Sequence, residues 1–334
     1  MRTLALVLAT WFSVAASVAL AQSDSGYQPY VRSRTTNADG KEVCLYLRNR
    51  TFEYTVDAAG YSRAASQAVF DAIDASFRTW QAVSNSCTDV TYVKQPPIDN
   101  PQVGYDSKNV ANNLNVITFR EQSCTEAVPP GDDCELDGSC ANKYRCWEYG
   151  DFVIALATTS YSTRLGAIYD ADIEFNAATH SDGSRFFFTA VSSPKCPLDA
   201  PSADCASTDI QNTLTHEIGH AMGFDHAANP TSTMAATAPP GETNKRIIDS
   251  GTIQGFCEIY PRNQPAASCE ATNLLRKQVV AITSGTGSCA SQVPADPQWL
   301  GPVALALASL LGPFRRRLNP GRTQARDVER RPRG

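Results

Sequence analysis

The feature that most constrains this chain is the run His216-Glu217-Ile218-Gly219-His220-Ala221-Met222-Gly223-Phe224-Asp225-His226. On a helix, two histidines four residues apart lie one turn apart on one face, so both imidazoles reach a single metal ion. Gly223 permits a backbone turn that residues with a Cβ resist, and that turn brings His226 round as a third ligand. Three protein ligands leave a fourth position for water, as in a catalytic rather than a structural zinc site. Glu217, next to the first ligand, is placed to contact that water rather than the metal. The implied chemistry is attack of metal-activated water on a peptide carbonyl, with Glu217 as general base and then as proton donor to the leaving amine. The chain has four histidines and three fall in this run, which makes incidental histidines on an amphipathic helix a poor account.

At 334 residues the chain is long enough for a real hydrophobic core. Residues 63–83 are predicted to be a long helix, because Val69, Ile73, Phe77 and Trp80 recur at spacings of four and three; Ser62 is the expected N-cap. A second helix is expected over 208–222, carrying the histidines, and a third over 249–260. Strands are expected at 43–47, 51–56, 89–94, 114–119, 152–158 and 172–175, the last with an acidic rim. Strands mixed with helices, without an internal repeat, predict an α+β (mixed) domain built on a twisted mixed sheet.

Eleven cysteines are many for this length, and no Cys-x-x-Cys pair occurs, so disulfides are a better account than a cysteine-bound structural metal. Ten of them precede residue 270 and allow five bridges, whose pairing the sequence leaves open. Cys289 is the odd one out. Segments 121–147 and 192–206, rich in Cys and Pro, read as loops pinned by disulfides rather than by a core.

The ends of the chain differ from its body. Arg2, an apolar stretch over 4–20 and Ala19-Leu20-Ala21 read as a signal peptide over 1–21, cleaved before Gln22 and implying export. Residues 22–40 form a polar lead-in and residues 41–270 the main domain. A linker over 271–296 contains Cys289. Residues 297–317 combine an uncharged apolar run with Arg315-Arg316-Arg317, an anchor or sorting segment with a positive stop, and 318–334 form a basic tail. The formal charge of −5 divides unevenly: residues 22–289 hold 20 basic and 31 acidic side chains. An acidic body argues against nucleic acid as a partner.

The pattern His216-Glu217-x-x-His220-x-x-Gly223-x-x-His226 resembles the metzincin clan of zinc proteases. Ser232-Thr233-Met234 stands where that clan carries a methionine turn beneath the metal. Within the clan the chain is most similar to matrixins, through Asp209-Ile210-Gln211-Asn212-Thr213-Leu214-Thr215, Asp172-Ile173-Glu174-Phe175-Asn176 and the closing helix near residues 253–260. The resemblance implies a metzincin-like catalytic domain with a long N-terminal helix, an active-site helix and a C-terminal helix. It also implies one catalytic Zn2+ on His216, His220 and His226, with Glu217 catalytic and Met234 in the methionine turn. The chain departs from the pattern at Glu174, where matrixins carry a histidine for a second, structural zinc, so that metal is not expected. Asp170, Asp172 and Asp182 are candidate Ca2+ ligands, and His180 is expected at the surface. Pro239 and Pro240 are expected to help wall the specificity pocket. Cys289, residues 299–314 and the arginine cluster resemble sorting tags of the myxobacterial type, which implies membrane contact through the C-terminal segment and anchoring near Cys289 after cleavage.

The leading expectation is a secreted or surface-displayed zinc endopeptidase, acting as a monomer on protein or peptide substrates bound in extended form along a sheet edge. The alternative is a non-catalytic cell-surface binding module stapled by zinc. Such a site would be closed by a fourth protein ligand, for which the sequence offers no obvious candidate.

Overall fold

The computed structural model describes residues 27–110, 113–269 and 288–290. Four short strands open the chain: β1 (Val31–Arg32), β2 (Arg34–Thr36), β3 (Glu42–Cys44) and β4 (Tyr46–Leu47). Strand β5 (Thr51–Val56), helix α1 (Ser66–Cys87), β6 (Thr91–Lys94) and β7 (Asn115–Arg120) follow. Three one-turn helices, α2 (Cys124–Ala127), α3 (Cys134–Asp137) and α4 (Cys140–Tyr144), precede the long hairpin of β8 (Val153–Tyr161) and β9 (Ala167–Asn176). Next come β10 (Phe188–Thr189), β11 (Thr208–Asp209), α5 (Ile210–Ala221), β12 (Phe224–Asp225), a 3-10 turn at Asn244–Arg246, α6 (Ser250–Ile259) and β13 (Ser288–Ala290).

The main sheet runs in the order β13-β8-β9-β7-β5-β6, with β4 also paired to β9. Strands β6, β5, β7 and β9 are parallel, whereas β8 is antiparallel to β9. The sheet is therefore mixed, as the sequence predicts. Parallel neighbours need crossovers, and α1 supplies the one from β5 to β6. Its apolar stripe does what its spacing predicts: Val69, Ile73, Phe77 and Trp80 are all buried, each contributing roughly 1.5–3 kcal/mol. The helix begins three residues later than expected, because Ser62 is claimed elsewhere. Its backbone N–H donates to Glu121 Oε1 at 2.7 Å and its hydroxyl to the other carboxylate oxygen. Helix α5 packs against α1 and against β8, and the Trp80 indole N–H donates to the Thr215 carbonyl at 2.9 Å.

Residues 31–36, inside the segment read as a lead-in, form β1 and β2 and belong to the fold. Strand β1 pairs with β12, immediately before His226. Strand β9 is ten residues long rather than four and is buried on both faces. Its acids do not form a solvated rim. Asp172 accepts backbone N–H bonds from Gly104 at 2.5 Å and Val116 at 2.7 Å, so the chain around Gly104 covers that face. Glu174 is paired with Arg120 at 2.5 Å, both side chains 2% exposed, and this ion pair is what stands at the position singled out in the sequence.

Ten cysteines form five disulfides: Cys44–Cys269, Cys87–Cys257, Cys124–Cys146, Cys134–Cys140 and Cys196–Cys205. Three are local clamps inside the two loops expected to need them. The other two close the domain, since Cys87–Cys257 ties the end of α1 to α6 and Cys44–Cys269 ties β3 to the residues after α6. Among the described residues no helix is long and apolar enough to cross a membrane. The expected signal peptide (1–21) and the apolar C-terminal segment (297–317) lie outside the described residues.

Cross-links that close longer loops remove more entropy from the unfolded chain. Serine replacement of Cys87 and Cys257, 170 residues apart, is expected to cost roughly 5 kcal/mol, against roughly 2 kcal/mol for the six-residue Cys134–Cys140 loop. Denaturant unfolding of the two double variants measures the difference, and the opposite order would contradict the assigned role.

Candidate metal centre

Asp209 starts the helix that carries the centre. Its side chain accepts the Asn212 N–H at 2.7 Å as the N-cap of α5, and Arg246 holds the same carboxylate, with Nε 2.8 Å from Oδ1. Because α5 is buried along almost its whole length, it is fixed by packing on several sides. His216 and His220 project from successive turns. After Ala221 the chain reverses at Gly223, whose φ of 85° lies in the left-handed region. A Cβ there would also stand 2.4 Å from the Leu45 carbonyl oxygen. The returning strand β12 is caught by β1 in an antiparallel pair, Val31 opposite Asp225 and Arg32 opposite Phe224. That capture delivers His226.

The three Nε2 atoms meet: His220 Nε2 lies 3.0 Å from His216 Nε2 and 3.2 Å from His226 Nε2. The separation between His216 and His220 is not a hydrogen bond. His216 Nδ1 lies 2.6 Å from the Thr233 carbonyl and His220 Nδ1 lies 2.8 Å from the Phe224 carbonyl. A carbonyl only accepts, so each Nδ1 carries the proton, and in the neutral ring Nε2 presents a lone pair. Burial holds all three rings neutral. It drives the pKa of His216 far down, with His220 next to it adding to the effect, and pushes His220 to about 3, with His226 adding to the effect. His226 is lowered too, again chiefly by burial. Lone pairs converging at about 3 Å repel unless a cation lies between them. Zn–N bonds of about 2.0–2.1 Å require ligand nitrogens at about this spacing. Among the described residues this is the only group of three or more His, Cys, Asp or Glu side chains able to share a metal ion.

Glu217 is fully buried beside His216. Met234 lies beneath the helix, fully buried, and explains a glycine that the sequence reading passed over. A Cβ on Gly219 would stand 2.3 Å from Met234 Sδ and 3.5 Å from Trp80. Glycine within a helix is unfavourable by about 1 kcal/mol, and that cost was the available signal of close packing.

A second residue missed as part of the site is Asp249, recognised only as the start of a helix. One of its carboxylate oxygens caps α6 through the N–H groups of Gly251 and Thr252. The other accepts the Thr233 N–H at 2.7 Å and the hydroxyls of Ser232 and Thr252. Burial alone would raise its pKa, but these hydrogen bonds outweigh it and hold the carboxyl below the usual range. Asp249 thus positions Thr233, whose carbonyl orients His216, and the Met234 that follows it. An Asp followed by Ser-Gly-Thr was readable as a cap, but its long-range bonds to residues 232 and 233 were not.

The other singled-out residues lie apart from the histidines. Asp170 and Asp172 are buried on β9, whereas Asp182 is exposed in the 180–184 turn, so the three expected calcium ligands are not brought together. Burial raises the pKa of Asp170 to about 6, and burial with the neighbouring Asp170 raises that of Asp172. His180 packs edge-on against Phe186. Pro239 and Pro240 line a cavity of about 250 Å³ together with Ile154 of β8 and Asn212 and Thr213 of α5. Thr213 is three residues, about one helical turn, before His216. The backbone of Cys289 lies in β13.

If Asp249 orients His216 through Thr233, Asp249→Ala is expected to weaken zinc binding about 10–100-fold. Competition against a chelator measures this, and an unchanged affinity would show that the network is dispensable.

A family model described as matrixin matches residues 46–261, well over half the chain. No curated protein matches it. The match takes in β4 to the end of α6 and includes the three histidines and Met234. The chain belongs to the matrixin family of zinc-dependent endopeptidases.

Proposed function

We propose that the chain is an exported endopeptidase in which His216, His220 and His226 hold the catalytic zinc and Glu217 is the general base. The observation that carries this reading is the convergence of three neutral imidazoles, two of them fixed as Nε2 donors by backbone carbonyls. These nitrogens would hold a zinc ion, which would supply Lewis acidity and a water made more acidic, with a pKa of roughly 7. Glu217 takes the proton of the attacking water and returns it to the leaving amine. The buried setting of the helix favours this transfer, because few waters compete for the carboxylate. Met234 and Asp249 act at one remove, keeping His216 and the helix in place.

The substrate backbone lies extended along the outer edge of β8, the strand that packs on α5 and is antiparallel to β9. A side chain next to the scissile bond enters the cavity between Ile154, Thr213 and Pro239-Pro240. Five disulfides fit an oxidising, extracellular setting. Export through residues 1–21 and display through residues 297–317 complete the reading, with Cys289 as the anchoring residue. Calcium is part of it only at Asp170 and Asp172, where a cation would offset the repulsion of two buried carboxylates.

Glu217→Gln is expected to lower turnover of a peptide substrate by roughly 10²–10⁴-fold while the purified chain keeps about one zinc. Equal turnover in the variant would refute the role given to Glu217. Joint loss of metal and activity would make the residue structural.

A further inference from the structure

The outer edge of β8 is occupied by the chain itself. Strand β13 runs antiparallel along it, with Ser288 opposite Leu156 and Ala290 opposite Val153, and with an irregularity in register between the two pairs. This part of β8 lies beside the helix that carries His216, since Ile154 shares a cavity wall with Asn212 and Thr213 of that helix. A peptide lying there takes the hydrogen-bonding groups that an incoming polypeptide backbone would need.

We infer that residues 288–290 are a cis-acting blocking strand, which an extended substrate must displace before it can pair with β8. The inference rests on the endopeptidase reading above and adds a regulation to it. Three features of the chain support it. Among the described residues before the strand, the last one cross-linked to the body is Cys269, through its disulfide to Cys44. Ser288 belongs to the same chain, 19 positions after Cys269, so the strand competes for the edge in cis, independently of protein concentration. The sequence around the strand, Ser284-Gly285-Thr286-Gly287-Ser288-Cys289-Ala290-Ser291, is uncharged and small. It contributes backbone pairing without side chains large enough to fill a pocket, which suits a block that a better ligand can displace. Finally, a bare edge next to a reactive site is a template for any extended chain, and a resident strand covers it. Because Cys269 is the last cross-linked residue described before the strand, a single cut between 269 and 288 frees the edge while the five disulfides stay intact.

The block is competitive, so it acts on KM and leaves kcat alone. Full-length chain is compared with Ser288→Pro/Ala290→Pro, in which two backbone donors are lost, using a quenched peptide substrate. KM is expected to fall several-fold in the proline variant with kcat unchanged. Cys289→Ser is expected to keep the KM of the intact chain, because the contact is made by backbone; a fall equal to that of the proline variant would overturn strand pairing in favour of capture by the thiol. Hydrogen exchange is measured in parallel on Glu217→Gln chains, so that it requires no turnover. Amides of residues 153–156 are expected to exchange more slowly in the chain with the native strand than in the proline form. Identical exchange in the two forms, with an unchanged KM, overturns the blocking strand and leaves the endopeptidase reading intact. A chain that cleaves nothing in either form, yet shows the exchange difference, defeats the endopeptidase reading and with it the inhibitory role, while the pairing itself stands.

Discussion

Three imidazoles converging on one point, two of them with their Nε2 lone pairs fixed inward, are the constraint around which this domain is arranged. Between His216 and His220 that arrangement is unfavourable by itself, because two neutral imidazoles whose Nε2 atoms lie 3.0 Å apart, both protonated on Nδ1, offer each other no proton. The fold imposes it all the same, by giving the outer nitrogens of His216 and His220 carbonyl partners and by burying the rings so that protonation brings no relief. A cation between the rings would relieve that repulsion, and its binding would then add to the stability of the fold.

Each supporting element can be traced to that requirement. The carbonyl that orients His216 belongs to Thr233, which Asp249 fixes from the start of α6. The carbonyl that orients His220 belongs to Phe224, which also accepts the Ser33 hydroxyl and lies in the strand caught by β1. Tyr260, at the end of α6, donates to the Met222 carbonyl and accepts the Leu47 N–H, joining the turn after α5 to the first strands of the chain. The Cys87–Cys257 bridge then ties α6 to α1, whose Trp80 reaches back to α5. Segments distant in sequence are therefore joined through the residues that hold the imidazoles in place.

The centre itself was legible in the sequence because its geometry is local. A spacing of four on a helix and a glycine before the third histidine mark the ligand set within eleven residues, although distant partners hold the rings in place. The stripe of α1 was legible for the same reason. What escaped was set by distant partners. Ser62 looks like a cap but bonds Glu121, 59 residues away. The acids of β9 look solvated but are roofed by the chain around Gly104. Asp249 acts on residues 16 and 17 positions back, and Gly219 makes sense only once Met234 is seen beneath it. Two-residue strands such as β1 and β12 carry no periodicity at all, and disulfide pairing depends on the finished fold.

The most direct test of a three-imidazole centre with one open position is X-ray absorption at the zinc edge on purified, metal-loaded protein. The account predicts about three imidazole nitrogens at roughly 2.0–2.1 Å and one further oxygen, with no sulfur in the shell. A sulfur scatterer near about 2.3 Å, or a fourth side chain closing the shell, would contradict it.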